Sequence, residues 1–289
     1  MGKRDNDVNL QPTISREQTL ALALSAWDLE RTRTDRNESP RSRVIMLRTH
    51  GRLLDALEAR QQVPLANRAF LKIQDEAKSA CLVIHGTQDS PAAVRPLAEH
   101  LHASGLTVYV PRLPGHGLDE RAKVLWRACL QDVRLRYRTL RKIYRRVFVV
   151  GSGFGATLAI QLAAREQVAA LALLAPAVIP RVSLVERLLF RIGIHRIGWL
   201  RPRMGWDPEV LAAMKGARTR IPRLRAPIYA AQCDDDERIS PVSLRVLQKH
   251  ARHRASRFKV FPAGGHDILA THGPEVLHTE VQKFFRSLS

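Results

Sequence analysis

Three short segments hold residues able to carry out proton transfer and nucleophilic chemistry. Residues 149–156 read Val-Val-Gly-Ser-Gly-Phe-Gly-Ala. An apolar run enters this segment and a helical pattern leaves it, with small residues where a sharp strand-to-helix turn needs them. Residues 233–241 read Cys-Asp-Asp-Asp-Glu-Arg-Ile-Ser-Pro, and residues 261–267 read Phe-Pro-Ala-Gly-Gly-His-Asp. The first supplies adjacent carboxylates, and the second places His266 on a glycine-rich loop. An imidazole that takes a proton from an attacking oxygen, oriented by a carboxylate, is the machinery of nucleophilic acyl transfer. His266 stands 30 residues after Asp236, and both follow the small-residue turn.

Two further loops complete the set. Leu82-Val83-Ile84-His85-Gly86-Thr87 is an apolar strand ending in His-Gly, where glycine lets the backbone turn so that the next N–H can face a reacting carbonyl. Pro111-Arg112-Leu113-Pro114-Gly115-His116-Gly117 follows the next strand, and its Gly115, His116 and Gly117 form a tight, close-approach loop. With these five segments in this order, residues 78–288 resemble the α/β-hydrolase superfamily, in its carboxylesterase and monoacylglycerol-lipase branch, also labelled serine aminopeptidase-like.

The resemblance implies roles residue by residue. His266 would be the general base and Asp236 its orienting acid, with Asp235 the alternative acid. The N–H groups of Thr87 and Phe154 would form the oxyanion hole, supported by the His85-Gly86 loop. In the register of a G-x-S-x-G elbow, Gly151 and Gly155 are the flanks and Gly153 occupies the nucleophile position. Ser152 lies one residue early, and on a sharp turn such a shift sends a side chain elsewhere. The resemblance therefore implies carboxylic ester chemistry on a small acyl-ester or other apolar ligand, with serine catalysis lost or severely weakened. Three accounts of Gly153 stay open: a pocket kept for binding, His266 activating water or substrate directly, and an altered chain whose parent carries serine at this position. No metal or cofactor is implied, since the four adjacent acidic residues lack a second ligand cluster.

These loops need a scaffold. Short apolar runs at 80–84, 107–110, 147–150, 168–174, 228–231 and 257–261 alternate with helical patterns. The helices fall after Pro91, from about Val124 to Ile143, after Gly153, after Pro241 and after Pro274. That alternation predicts an α/β fold with a mainly parallel, doubly covered sheet. Residues 177–226 interrupt it and are expected to form a helical cap. There Val185, Leu188, Leu189 and Ile192 make an apolar stripe, with Arg187 and Arg191 off it, and Trp199 and Leu200 follow among Arg196, Arg201 and Arg203. Residues 1–77 are expected to pack on this domain as an N-terminal extension, with Ser15 and Gln18 capping a helix at about 16–33 and a loop from Asp35 to Ser42. The topology of 43–77 stays open.

Composition bounds the rest. The 289 residues suit one α/β domain with additions. No apolar run reaches the roughly 18–20 residues of a spanning helix, and residues 1–11 lack the shape of a signal peptide. A cytoplasmic location is expected, with Cys81, Cys129 and Cys233 as buried reduced thiols. The formal charge is +20, from 47 basic and 27 acidic residues, and nine of the basic residues are lysines. Such a field attracts an anionic partner, nucleic acid or acidic membrane. The dense runs are Arg134, Arg136, Arg138, Arg141, Lys142, Arg145 and Arg146, and Arg245, Lys249, Arg252, Arg254 and Arg257. They read equally as solvated helix faces, and the oligomeric state is not legible.

Overall fold

A computed structural model describes residues 40–118, 125–182 and 206–288. The expected helix at 16–33, its capping pair and the first part of the loop from Asp35 lie outside them. So do the cap stripe from Val185 to Ile192 and the run from Arg196 to Arg203. The last residues expected in that loop, 40–42, are already helical.

Among the described residues, seven strands form one sheet in the order β1-β3-β2-β4-β5-β6-β7. They are β1 (Phe70–Lys72), β2 (Ser79–Ile84), β3 (Thr107–Val110), β4 (Arg146–Ser152), β5 (Leu171–Leu174), β6 (Ile228–Cys233) and β7 (Arg257–Phe261). Strands β2 to β7 are mutually parallel, and β1 pairs antiparallel with β3 along one edge. The expected strand at 168–174 is shorter as a strand. Its first residues still bond to β4, Ala169 N–H to Val147 O and Val149 N–H to Ala170 O.

Helices cover both faces, which is why the strands read as unbroken apolar runs. On one side lie α1 (Pro40–Arg60), α3 (Trp126–Ile143), α4 (Phe154–Ala163) and α5 (Pro208–Arg218), and on the other α2 (Pro91–Ala103) and α8 (His278–Arg286). The remaining helices are α6 (Val242–His250), beside β6, and α7 (Ile268–His272). Strand β2 shows the period-two division: Ala80, Leu82 and Ile84 join the core under α3 and α4, and Cys81 and Val83 the core under α2 and α8. Phe148 of β4 stacks on Phe285 of α8 with ring centroids 4.5 Å apart. Each such buried side chain contributes about 1.5–3 kcal/mol of burial free energy, before the entropy of ordering it.

Local chemistry sets the helix boundaries. Helix α2 begins where Ser90 accepts a bond from Ala92 N–H and Pro91 takes the first position, whose N–H would have no partner in any case. The C-terminal helix starts later than Pro274 suggests, because Gly273–Leu277 forms a π turn before α8. Residues 43–77 supply most of α1, a 3-10 turn at Leu65–Asn67 and β1. The three cysteines are free and buried, and no helix among the described residues is long and apolar enough to cross a membrane.

Candidate active site

Because the strands are parallel, the loops after β2, β4, β5, β6 and β7 all emerge at one end of the sheet. Ligands of open α/β sheets bind in the crevice outside these carboxyl ends. A cavity of about 230 Å³ opens there, lined by Thr87, Phe154, Ala177, Arg181, Glu237, Arg238, Ile239 and His266, with Trp206, Val210 and Met214 closing it from the α5 side. A larger open groove of about 730 Å³ lies at the opposite end, between the start of β2 and α8. It has no imidazole–carboxylate pair, so the smaller cavity is where proton-transfer chemistry can occur.

The turn after β4 is fixed by the backbone. Gly153 has φ 53° and ψ −114°, a conformation side chains of L residues rarely adopt. Its N–H bonds to Leu174 O of β5, and its carbonyl accepts from Ala156 N–H and Ala177 N–H. A Cβ on Gly151 would stand 2.5 Å from the backbone of Ala156, and one on Gly155 2.2 Å from Ile84 O. The flanking glycines therefore let strand and helix pass in contact. A Cβ on Gly153 would instead meet His266 Nε2 at 3.4 Å, an ordinary contact. Ser152 ends β4, paired with Leu174, and does not line the cavity.

His266 and Asp236 meet from separate loops. The His266 Nδ1–H donates to Asp236 Oδ2 at 3.0 Å, which leaves Nε2 facing the Gly153 turn. Asp236 is wholly buried, and its Oδ1 accepts from the N–H groups of Arg238 at 2.9 Å and Ile239 at 2.8 Å. Burial alone would raise its pKa. The bond from His266, the Ile239 and Arg238 amides and the imidazole charge outweigh that, and the pKa lies below the ordinary carboxylate value. Asp235 does different work, accepting from Gly264 N–H at 3.1 Å and Gly265 N–H at 2.9 Å. Those two bonds hold its own pKa down and pin the loop that carries His266.

The loops at the start of the sheet are held by His85. Its Nε2 accepts from Leu113 N–H at 3.1 Å and its Nδ1–H donates to Gly86 O at 2.9 Å, joining the two loops read from the sequence. Burial, then the nearby His116 and Arg112 charges, push its pKa down to about 3, so the ring is neutral. The His116 ring packs edge-on at 5.2 Å, and its Nδ1–H donates to Pro114 O. Gly115 and Gly117 take φ of 80° and 83°, and at Gly86 a Cβ would stand 2.4 Å from Asp89 Oδ2. Arg112 ties this region to Glu58 Oε1 of α1 at 3.0 Å and to Gln61 Oε1, just past its end, at 2.9 Å. Thr87 is thereby placed on the cavity wall across from Phe154, the first residue of α4, whose N–H has no acceptor within its own helix.

Several cavity residues carried no signal in the sequence. Arg181 donates to the backbone carbonyl of Asp236 at 2.7 Å, bracing the acid loop. Glu237 Oε2 accepts from His266 N–H at 3.1 Å. Arg238 reaches across to Gln88 Oε1 at 2.8 Å, linking the loops after β6 and β2 over the cavity rim. For Glu237 and Arg238 the available clue is their position in the same Asp-Asp-Asp-Glu-Arg run as Asp236; Arg181 has none.

Comparison with known proteins agrees with this fold. Residues 75–209 match the family described as serine aminopeptidase, S33. A thermostable monoacylglycerol lipase from Bacillus sp. (strain H-257) is 30% identical over 105 residues, 36% of this chain and 42% of that protein. The matched part is thus less than half the length of that relative. Among solved structures, one from work on the metagenome-derived lipolytic enzymes LipS and LipT superposes with a TM-score of 0.66 at 19% identity, covering 78% of this chain and all of the other. The monoacylglycerol lipase of Paleococcus ferrophilus gives 0.59 at 17% identity, covering 76% and 98%.

Proposed function

We propose, for a chain that is an α/β-hydrolase resembling monoacylglycerol lipases and esterases, that its site keeps the base, the acid and an acyl cavity but lacks the nucleophile. The observation that carries this is the pairing of Gly153 with His266. The backbone turn is that of an elbow, the base faces it, and the residue between them has no side chain.

In this reading a carboxylic ester enters the 230 Å³ cavity with its acyl chain toward Val210 and Met214. Its carbonyl oxygen takes hydrogen bonds from the Thr87 and Phe154 N–H groups, which strengthen as negative charge develops. An oxygen nucleophile at the turn would pass its proton to His266 Nε2, and Asp236 would stabilise the imidazolium. Without a side chain at position 153 no acyl-enzyme forms. Loss of a triad nucleophile costs on the order of 10⁶-fold in kcat, and the remaining donors leave about 10³–10⁴ over water. Serine catalysis is therefore absent or severely weakened.

Labelling with a long-chain alkyl phosphonate ester tests the register. Gly153→Ser should gain one covalent adduct, mapped to residue 153, and the unmodified chain none. An adduct on Ser152 of the unmodified chain would contradict the assignment.

A second reading is a noncatalytic binding or scaffold protein that engages an anionic partner. One observation favours it: Arg245, Lys249, Arg252, Arg254 and Arg257 are exposed, and no ion pair among the described residues involves them. The other basic run is largely committed within the protein. Arg134 and Arg138 share Glu166, Arg136 pairs with Asp132 while buried, and Arg141 donates to the Tyr144 and Arg145 carbonyls.

A further inference from the structure

One group of exposed arginines collects at the end of the sheet away from His266. Strands β4, β5, β6 and β7 are consecutive neighbours, and the connection entering each of them carries arginine. Arg145 and Arg146 precede or open β4, Arg165 lies before β5, Arg223 and Arg225 before β6, and Arg252 and Arg254 before β7. Register brings them level: Val149, Leu171 and Ile228 are paired in one row, and Arg146 and Arg225 each stand three residues ahead of it. At about 4.8 Å between strands the starts of the four strands β4 to β7 span about 14 Å. Arg165, Arg220 and Arg223 are close enough that their like charges act on one another.

Within these connections little opposes this charge; Asp75, paired with Arg48, and Glu76 lie beside them, ahead of β2. Residues 215–233 and 238–266 contain no Asp or Glu, and residues 133–182 contain only Glu166, already bonded to Arg134 and Arg138. All seven of these arginines are exposed, and no ion pair among the described residues involves them. The carboxylates Asp234 to Glu237 and Asp267 sit at the opposite, cavity end.

We propose that this arginine-fronted end binds the sugar–phosphate backbone of a nucleic acid without reading its sequence. The proposal deepens the second reading, that of an anionic partner, and does not depend on the ester chemistry. Two observations favour nucleic acid over a lipid surface. None of the exposed large apolar side chains, such as Leu65, Leu125 or Val260, lies in these connections, so nothing there would insert between acyl chains. Docking this end on a bilayer would also turn the acyl cavity away from it. Duplex, by contrast, presents one phosphate charge per about 1.7 Å of its axis, so a 14 Å row meets roughly eight. Arginine's planar fork suits each of them.

The test is fluorescence anisotropy of the full chain with a short mixed-sequence DNA duplex at about 50 to 200 mM salt. Binding should weaken with salt, log K against log salt having a slope of roughly −3 to −5 for three to five neutralised phosphates. Arg252→Gln with Arg254→Gln should weaken binding at least about tenfold and flatten the slope by about 2. Arg52→Gln with Arg60→Gln removes the same charge from exposed positions on α1 and should change it far less. Equal effects of the two pairs would overturn the proposal. So would binding only to vesicles containing acidic phospholipid, which would leave an anionic partner standing but not a nucleic acid. Binding to neither at the lowest salt would remove both.

Discussion

His266 Nε2 lies 3.4 Å from the point where a Cβ on Gly153 would stand. At the two neighbouring glycines, Gly151 and Gly155, the same atom would lie 2.5 Å and 2.2 Å from main-chain atoms. Three glycines within five residues are thus present for different reasons. Two are required by the contact of β4 with α4, and the third fits the backbone conformation while leaving room for a side chain beside His266.

That difference is measurable as stability. Gly153→Ser places a side chain at φ 53° and should cost about 1–3 kcal/mol of backbone strain. Gly155→Ala must displace the Ile84 carbonyl and should cost at least the upper end of the about 1–3 kcal/mol typical of overpacking. Urea midpoints of the chain and the two variants decide the order, and a Gly155→Ala variant milder than Gly153→Ser would refute it.

The two neighbouring carboxylates should separate by function. In a Gly153→Ser background, Asp236→Asn should lower kcat by about 10⁴, because the imidazole loses its orienting anion. Asp235→Asn keeps one acceptor oxygen but turns an NH2 group toward the other of the Gly264 and Gly265 amides, so it should lower the melting temperature and raise KM more than it lowers kcat. Steady-state kinetics with thermal melts distinguish these outcomes, and equal losses of kcat would contradict the assignment.

Acid should destabilise the fold through its buried imidazoles, His50, His85 and His278, and through Asp236. His50 is buried against Tyr109 and Arg136, and burial, then the Arg136 charge, bring its pKa down to about 4. Between about 6.5 and about 4 the unfolded chain binds the proton and the folded one does not, so stability falls as pH falls through that window. His50→Gln should remove up to about 3 kcal/mol of that dependence. Asp236, with its pKa depressed, stabilises the fold above the ordinary carboxylate pKa of about 3.9, and that contribution is lost as pH falls through the lower folded value. Denaturation midpoints from pH 7 to pH 3 check both, and an unchanged profile for His50→Gln would contradict the first.

Legibility in the sequence followed the length and periodicity of each signal. The strands at 107–110 and 257–261 stand where the apolar runs place them, and the glycine loops around His85, His116 and His266 could be read because tight turns leave composition marks. Strand β1 could not be read. Three half-buried residues carry no period, and an antiparallel edge strand depends on its partner β3. Asp236 stands ahead of Asp235 as the partner of the imidazole in the sequence reading, and the loop does turn Asp236 to His266 while Asp235 faces the Gly264 and Gly265 amides. Arg136, by contrast, was miscast as surface charge. It falls on the face of α3 shared by Val133, Tyr137 and Leu140, where Asp132 neutralises it in the interior.

The central claim concerns the oxygen that position 153 lacks. The direct measurement is hydrolysis of short- and long-chain aryl esters by the chain itself, by Gly153→Ser, and by Gly153→Ser with His266→Ala. The account predicts little or no turnover by the first, a clear gain in the second, and loss of that gain in the third. Turnover by the unmodified chain equal to that of Gly153→Ser would contradict it, because the nucleophile would then stand somewhere other than this turn.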